Sequence, residues 1–355
     1  MRIVEIISGL GLGGAEQALV TRLEHAPNDV QTHVLVTGSQ GSHLINRVRS
    51  QATLHRAVTA TGRLINEIKP DLVIAHNPRE TLKLLAYPNL SRRYPVVVVA
   101  HNEITSEYRI KANFLDLALP RVNRRARMHI AVSSRAAAGP QCRGGSDIRV
   151  CLLGSTFDES RQPLVHLWPK DGNHRFLVLN RLSPQKNLPA LVDATTRHQD
   201  LLRAFNAHIV IAGDGELLKT LQSSITEQGI ADLISLPGWI DDKDGLIAAA
   251  HTLLVTSSNE GGPLTLYEAL LAGIRVVSTP VGAASDVLAD DPHLRILPAA
   301  TPRAIANGLE QVVHDSPLDG NEVKRRRSRY QWLQAKASAR EFYNLCREAR
   351  ASCRQ

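Results

Sequence analysis

Short, mainly apolar runs rich in β-branched residues recur along this 355-residue chain, each followed by a polar turn and a stretch with helical period. The clearest are RIVEIIS (2–8), THVLVTG (32–38), YPVVVVA (94–100) and HTLLVTSS (251–258). Runs this short, without polar alternation, predict strands buried on both faces of a parallel sheet. Residues 9–26 predict a Gly-rich loop opening a helix, with Ala15, Leu19 and Leu23 at helical spacing. LTLYEALLAG (264–273) predicts a helix closed by Gly273, and 301–315 one that starts at a Thr301 cap with Pro302 in its first turn. Residues 331–349 read as a long, basic, amphipathic helix, and the Pro- and charge-rich segment 158–173 as a linker. Strands alternating with helices on both sides of that linker predict two Rossmann-like α/β domains.

The composition agrees, since 43% hydrophobic and 21% charged residues suffice for two buried cores. No run of 18 or more apolar residues occurs, so no membrane-spanning helix is expected. The N-terminal MRIVEIISG reads as a strand rather than a secretory signal, which points to a cytoplasmic protein. Cys142, Cys151, Cys346 and Cys353 lack C-x-x-C spacing, so reduced thiols rather than a zinc site are expected. Charge is unevenly spread. Residues 1–170 hold 22 Lys and Arg against 13 Asp and Glu, residues 171–323 hold 10 against 19, and residues 324–355 hold 10 against 2. A basic first half and tail around an acidic middle suit an anionic partner or an anionic membrane surface. Nucleic acid is the weaker reading, because aromatics are only 4% and no nucleic-acid motif is present. A plainly solvated basic surface is the third.

Candidate chemistry gathers at the C-terminal tips of the predicted strands, where open parallel sheets bind ligands. After HTLLVTSS come Glu260, Gly261, Gly262 and Pro263, then Leu264 and Thr265, and Glu268 stands eight residues beyond Glu260. One acid and several bare amides therefore sit at a helix N-terminus, with the second acid about two turns along. Such a place suits anionic or hydroxyl-rich ligands. Gly9-x-Gly11-x-x-Gly14 has the spacing of the dinucleotide fingerprint, but the next strand ends in Thr37 and Gly38, not in the acid an NAD site needs. His76 and His101 each end a predicted strand. Arg121, Arg124, Arg125 and Arg127 precede another, and read equally as a phosphate grip or a solvated face. Arg181 and Lys186, five residues apart after a strand, can meet at the sheet edge and neutralise a diphosphate. Gly213 and the pair Gly238-Trp239 mark further strand-exit turns, and Asp241-Asp242 reads as a solvated turn rather than a metal pair.

In chain order, the Gly13-Gly14 loop, His101, Arg181 with Lys186, and Glu260 with Glu268 resemble the motifs of retaining glycosyltransferases of family 4, whose signature carries Glu, seven residues, then Glu. The resemblance spans nearly the whole chain. It departs at Asn180, where the family usually has Gly, and at Gly154-Ser155, where Asn-Gly is common. It implies the GT-B architecture: two Rossmann-like α/β/α domains facing a central cleft. Residues 1–160 would be the acceptor-side domain, 161–330 the donor-side domain, and a final helix (about 331–355) would cross back to the first.

The resemblance also implies an NDP-sugar donor as co-substrate, with no cofactor and no metal. Arg181, Lys186 and the amides of Gly13 and Gly14 would hold the diphosphate, and Glu268 the ribose hydroxyls. Glu260, with the Gly261–Thr265 turn, would address the donor sugar, which His101 contacts from the opposite domain. The turns at Gly213, Gly238 and Trp239 would enclose the nucleotide, and His76, Arg124 and Arg125 are acceptor-side candidates. The basic first half favours a lipid-linked glycan or phospholipid acceptor, as in bacterial envelope or exopolysaccharide assembly, over a soluble small molecule. Three rivals fit less well. A sugar-nucleotide epimerase has no reason for the Glu pair, an NAD oxidoreductase lacks its ribose-binding acid, and a non-catalytic partner subunit would usually lose Arg181, Lys186 or a glutamate.

Overall fold

The computed structural model describes all residues except 12, 41–42, 57–60, 86–87, 103–117, 170–173, 288–290 and 352–355, and of 39, 40, 77, 85 and 88 only the backbone. The chain divides into two compact units, Met1–Ser155 with Leu333–Gln355, and Thr156–Trp332.

In the first unit seven strands form one sheet: β1 (Arg2–Gly9), β2 (Gln31–Gln40), β3 (Thr53–Arg56), β4 (Leu72–His76), β5 (Val96–Ala100), β6 (Met128–Ala131) and β7 (Ile148–Val150). Their order is β3-β2-β1-β4-β5-β6-β7 and all pairs are parallel. The apolar runs are continuous because both faces are covered. Ile74, Val97, Val99 and Ile130 pack on one face with Phe342, Tyr343 and Cys346 of the final helix, while Val73, Ala75, Val96 and Val98 fill the other. That final helix, Ala335–Ala351, also packs against the helix Gly14–Glu24. It starts later than the pattern predicts: Gln331–Leu333 is a 3₁₀ turn, and Gln334 pairs with Ser155 before the helix begins.

The second unit has six parallel strands: β8 (His174–Leu179), β9 (Ala207–Ala212), β10 (Ile234–Gly238), β11 (Thr252–Val255), β12 (Arg275–Ser278) and β13 (Leu294–Ile296). They are ordered β10-β9-β8-β11-β12-β13. In each sheet the winding direction reverses beside the first strand, between β1 and β4 and between β8 and β11. Those switch points open a crevice at the strands' C-terminal ends.

Thr301 caps the helix Pro302–Val313, its hydroxyl accepting from the Ala304 amide at 3.3 Å, as the sequence predicts. Gly273 ends the helix Leu264–Ala272 in the left-handed region at φ +81°. The helix Gly320–Arg329 has no apolar period to announce it. It is held instead by Arg326, whose guanidinium donates to both Asp291 carboxylate oxygens at 2.6 Å and to the Gly273 and Ile274 carbonyls at 2.9 Å. Cys142, Cys151 and Cys346 are buried free thiols, the first two pushed up to about 11 and about 12 by burial; Cys353 lies outside the described residues. No helix among the described residues is long and apolar enough to cross a membrane.

His129, on β6, is buried with neither ring nitrogen hydrogen-bonded among the described residues. Burial pushes it down to about 4 from the ordinary 6.5. The unfolded chain therefore binds the proton first, so stability is complete above 6.5 and falls as pH drops from 6.5 towards 4. In urea titrations, His129→Leu is expected to lose on the order of 2–3 kcal/mol less than the parent between pH 7 and 4. Equal losses in the two proteins would remove His129 as a source of acid sensitivity.

Candidate active site

The second unit's site is assembled by stitching the loop after β8 to the loop after β11. The first loop runs from Asn180 through the 3₁₀ turn Pro184–Lys186 to Asn187, which takes a left-handed conformation at φ +54° before the helix Leu188–Arg197. Gln185 Nε2 donates to the Asn259 carbonyl at 2.7 Å, and its own carbonyl accepts from the Ser258 amide at 2.9 Å. Thr256 Oγ1 donates to the Lys186 carbonyl at 2.8 Å, and Asn187 Nδ2 to the Thr256 and Ala300 carbonyls. With the backbones so joined, Lys186 Nζ reaches Glu260 Oε1. Ser257 Oγ donates to that same oxygen at 2.9 Å. Glu260 is only 7% exposed, so these two donors offset the burial of its carboxylate. The sequence resemblance gave the cation to phosphate and the acid to sugar; the structure joins them as a pair. Arg181, five residues earlier, is exposed.

Gly282 fixes the other side of this loop. It has φ +49°, and a Cβ there would lie 2.5 Å from the Gly261 carbonyl oxygen and 2.7 Å from that of Glu260. The backbone after β12 thus lies directly on the Glu260–Gly261 peptides, an approach only glycine allows. Beyond the turn, Pro263 precedes the helix Leu264–Ala272, on which Leu264 and Thr265 are half-buried and Glu268 is 6% exposed. Glu268 Oε1 accepts from Lys243 Nζ at 2.7 Å. Lys243 opens the helix Lys243–Ala249 and also lies 3.5 Å from Asp244. Burial pulls its pKa down, but the Glu268 and Asp244 carboxylates outweigh it and hold the ammonium above its ordinary value.

Gly213 and Gly238 meet, the amide of the first donating to the carbonyl of the second at 2.8 Å, so the turns after β9 and β10 are one surface. Beside them Trp239 is 58% exposed and its indole N–H donates to Asp241 at 2.8 Å. Asp242 caps the Lys243–Ala249 helix, accepting from the Gly245 amide. Both aspartates are therefore used locally, and no group of three His, Cys, Asp or Glu side chains among the described residues is arranged to hold a metal.

In the first unit, Gly13 precedes the helix Gly14–Glu24. A side chain at 13 would meet the Glu16 carboxylate, whereas the space in front of Gly14 is open. His101 follows β5 and is buried, and its Nε2 lies 2.8 Å from His76 Nδ1. His76 Nε2 lies 2.8 Å from Glu5 Oε2, which also accepts from Arg22. The His76 ring, an acceptor-side candidate from the sequence, is fully buried and both its nitrogens are hydrogen-bonded. Arg124 and Arg125 are exposed after the helical residues 118–123.

Sequence reasoning passed over Lys243, Ser257, Gly282, Arg22 and Glu5. Only Glu5 and Arg22 carried a signal. Glu5 is an acid inside the apolar run of β1, and Arg22 lies beside Leu19 and Leu23 on the helix's apolar side.

Residues 165–330 match the family model described as Glycosyl transferases group 1. The putative teichuronic acid biosynthesis glycosyltransferase TuaC of Bacillus subtilis (strain 168) is 25% identical over 70% of this chain, and the match spans 63% of that relative's length. The GalNAc-alpha-(1->4)-GalNAc-alpha-(1->3)-diNAcBac-PP-undecaprenol alpha-1,4-N-acetyl-D-galactosaminyltransferase of Campylobacter jejuni is 24% identical over 99% of both chains. Among solved structures, Anabaena HepE in complex with UDP and glucose superposes with a TM-score of 0.77 at 18% identity, covering 98% of this chain and 100% of that one. The fold is GT-B, as the resemblance implied. Together with the family match, it supports a GT-B glycosyltransferase.

Gly282→Ala is expected to cost about 1–3 kcal/mol in urea unfolding, because a non-glycine residue there must move the Glu260 peptide. A loss within 0.5 kcal/mol of zero would show that the loop yields freely.

Proposed function

We propose that this chain is a retaining glycosyltransferase of family 4 that moves a sugar from an NDP-sugar to an acceptor hydroxyl without a metal ion. The observation that carries the reading is the double pairing at the β8 and β11 switch point, Lys186 with Glu260 and Lys243 with Glu268. Each pair sets a buried acceptor beside a cation, the combination that a ligand with both hydroxyls and phosphates requires. Lys186 and Arg181 take the diphosphate and stabilise it as it leaves, with the Gly13 and Gly14 amides assisting. Glu268 accepts from the ribose hydroxyls, held in place by Lys243. Glu260 and the Gly261–Thr265 turn orient the donor sugar, which His101 also contacts. The Gly213 and Gly238–Trp239 turns flank the nucleotide. With no enzymic nucleophile assigned, retention follows from attack on the face the leaving diphosphate departs from, that diphosphate accepting the acceptor's proton.

The Campylobacter relative is named for a diphosphoundecaprenol-linked acceptor, which supports an acceptor of that class here. The exposed Arg124 and Arg125, the basic first 170 residues and the basic last 32 support action beside an anionic membrane, at the inner face of the cytoplasmic membrane.

Calorimetry against UDP-, GDP- and ADP-sugars is expected to find one donor class, with Lys186→Ala and Glu260→Ala each weakening it about tenfold or more. Unchanged affinity in Lys186→Ala would end the diphosphate assignment. NMR of the product is expected to show the donor's anomeric configuration kept and turnover unaffected by EDTA; an inverted product would overturn retention. The chain is expected to sediment with anionic vesicles at low salt and to be released at high salt. No sedimentation at low salt would exclude the membrane-side reading.

A further inference from the structure

We infer that Glu80 is a substrate-binding residue of the first unit, whose second carboxyl oxygen takes a hydroxyl of a glycoside acceptor. The inference rests on the proposed glycosyltransferase reading, in which the first unit is the acceptor side.

Five acids are buried among the described residues: Glu5, Glu80, Glu260, Glu268 and Asp291. Four of them meet a base, whereas Glu80 meets a threonine. It stands in the first turn of the helix Asn77–Leu85, which follows β4 directly, and is 1% exposed. Leu84, one turn further along, packs with Leu35, Ile65 and Ala75 in the core. Glu80 thus occupies the inward face of its helix, where an apolar side chain would otherwise sit. There Thr37 Oγ1, near the C-terminal end of β2, donates to Glu80 Oε1 at 3.1 Å. Thr37 is held in turn. A Cβ on Gly38 would lie 2.5 Å from the Ser8 carbonyl oxygen, so the chain beyond Thr37 lies against β1. β1 runs between β2 and β4, and a carboxyl that reaches β2 from the helix after β4 therefore crosses the end of β1. That is the switch point, at the strand ends where open parallel sheets bind ligands. In dinucleotide folds this place holds the acid that reads ribose hydroxyls. Here the strand supplies Thr37, and the fold brings a carboxyl to it from residue 80.

Glu80 Oε2 is buried and meets no hydrogen-bond partner among the described residues. A buried polar atom left open in this way is completed by a ligand or by water. The choice of ligand group does not depend on whether the carboxyl is ionised. An ionised Oε2 accepts from an O–H, and a protonated one donates to the oxygen of the same hydroxyl. An ammonium serves only the ionised form. A phosphate would set a second negative charge beside that form, which no base among the described residues offsets. A neutral sugar hydroxyl is therefore the group that fits in either state.

The test titrates the full chain, by saturation-transfer NMR, with the octyl glycosides of glucose, galactose, mannose, N-acetylglucosamine and N-acetylgalactosamine, each below its micelle concentration. At least one is expected to bind, and binding of none overturns the proposal. For a glycoside that binds, Glu80→Gln, checked for folding by its melting curve, is expected to raise Kd about tenfold. Its affinity for UDP-, GDP- or ADP-glucose, measured by calorimetry, is expected to stay at the parent's value. An unchanged glycoside Kd, or an equal loss of donor affinity, overturns the assignment. The monodeoxy forms of the same glycoside test the parent protein without any variant. One of them is expected to bind about tenfold more weakly, and that difference to vanish in Glu80→Gln. Deoxy forms that all bind the parent equally remove the hydroxyl contact. Binding of NADH that Glu80→Gln abolishes would make the carboxyl a dinucleotide contact and overturn the acceptor reading. A glycoside held through Glu80, beside no affinity for any of the three donors, would keep the subsite and end the glycosyltransferase reading. Donor binding without glycoside binding would do the reverse.

Discussion

A buried carboxylate is costly unless a cation or hydrogen-bond donors meet it, and the candidate site depends on that constraint more than on any apolar contact. Glu5, Glu260, Glu268 and Asp291 are each buried, and each meets a base: Arg22, Lys186, Lys243 and Arg326. Removing one partner leaves the other ionised in a poor dielectric, at a cost of several kcal/mol. The apolar core fixes where the sheets lie, but it has no preference among rotamers of a glutamate at a loop. The cations supply that preference. Lys186 ties the β8 loop to the β11 loop, Lys243 ties the β10 exit to the Leu264–Ala272 helix, and Arg326 holds the far end of that helix through the Gly273 and Ile274 carbonyls.

These ties converge because of topology. Both sheets reverse their winding beside the first strand, and the loops on either side of a reversal diverge from the same edge. In the second unit this puts Lys186 and Glu260, which are 74 residues apart in sequence, on adjoining loops. In the first unit the same arrangement sets His76 at the tip of β4, next to the Gly-rich loop after β1. Residues that seem unrelated along the chain become neighbours through the sheet order alone.

Much of the fold was legible for a simple reason. Runs such as VVVVA and LVIAH are buried on both faces, so their lack of alternation reports a parallel sheet directly. Thr301 and Gly273 were legible because capping chemistry is local. The Gly320–Arg329 helix was not, because it is docked by one arginine and presents no apolar stripe. Glu260 and Glu268 could be singled out by their spacing, yet Lys243 could not, being a surface-like lysine in sequence that only the fold carries to Glu268. Gly282 was likewise invisible, since what demands glycine there is the carbonyl of Gly261, across a turn. The contact of His76 with Glu5 was not legible, because a strand-tip histidine reads the same whether it faces ligand or a glutamate on the neighbouring strand.

The pairing of Ser155 with Gln334 has a consequence for how this chain is built. The Ser155 amide donates to the Leu333 carbonyl at 3.0 Å, and the Ala335 amide to the Ser155 carbonyl at 2.8 Å. The chain therefore leaves the first unit and re-enters it at one spot, and everything between is an insertion whose two ends are already closed. Closing a loop costs only about 0.6 kcal/mol more for each doubling of its length, so the cost of an insertion rises far more slowly than its size. The first unit can thus be treated as a continuous domain interrupted at 155/333, where the inserted unit is joined without breaking a strand of the host.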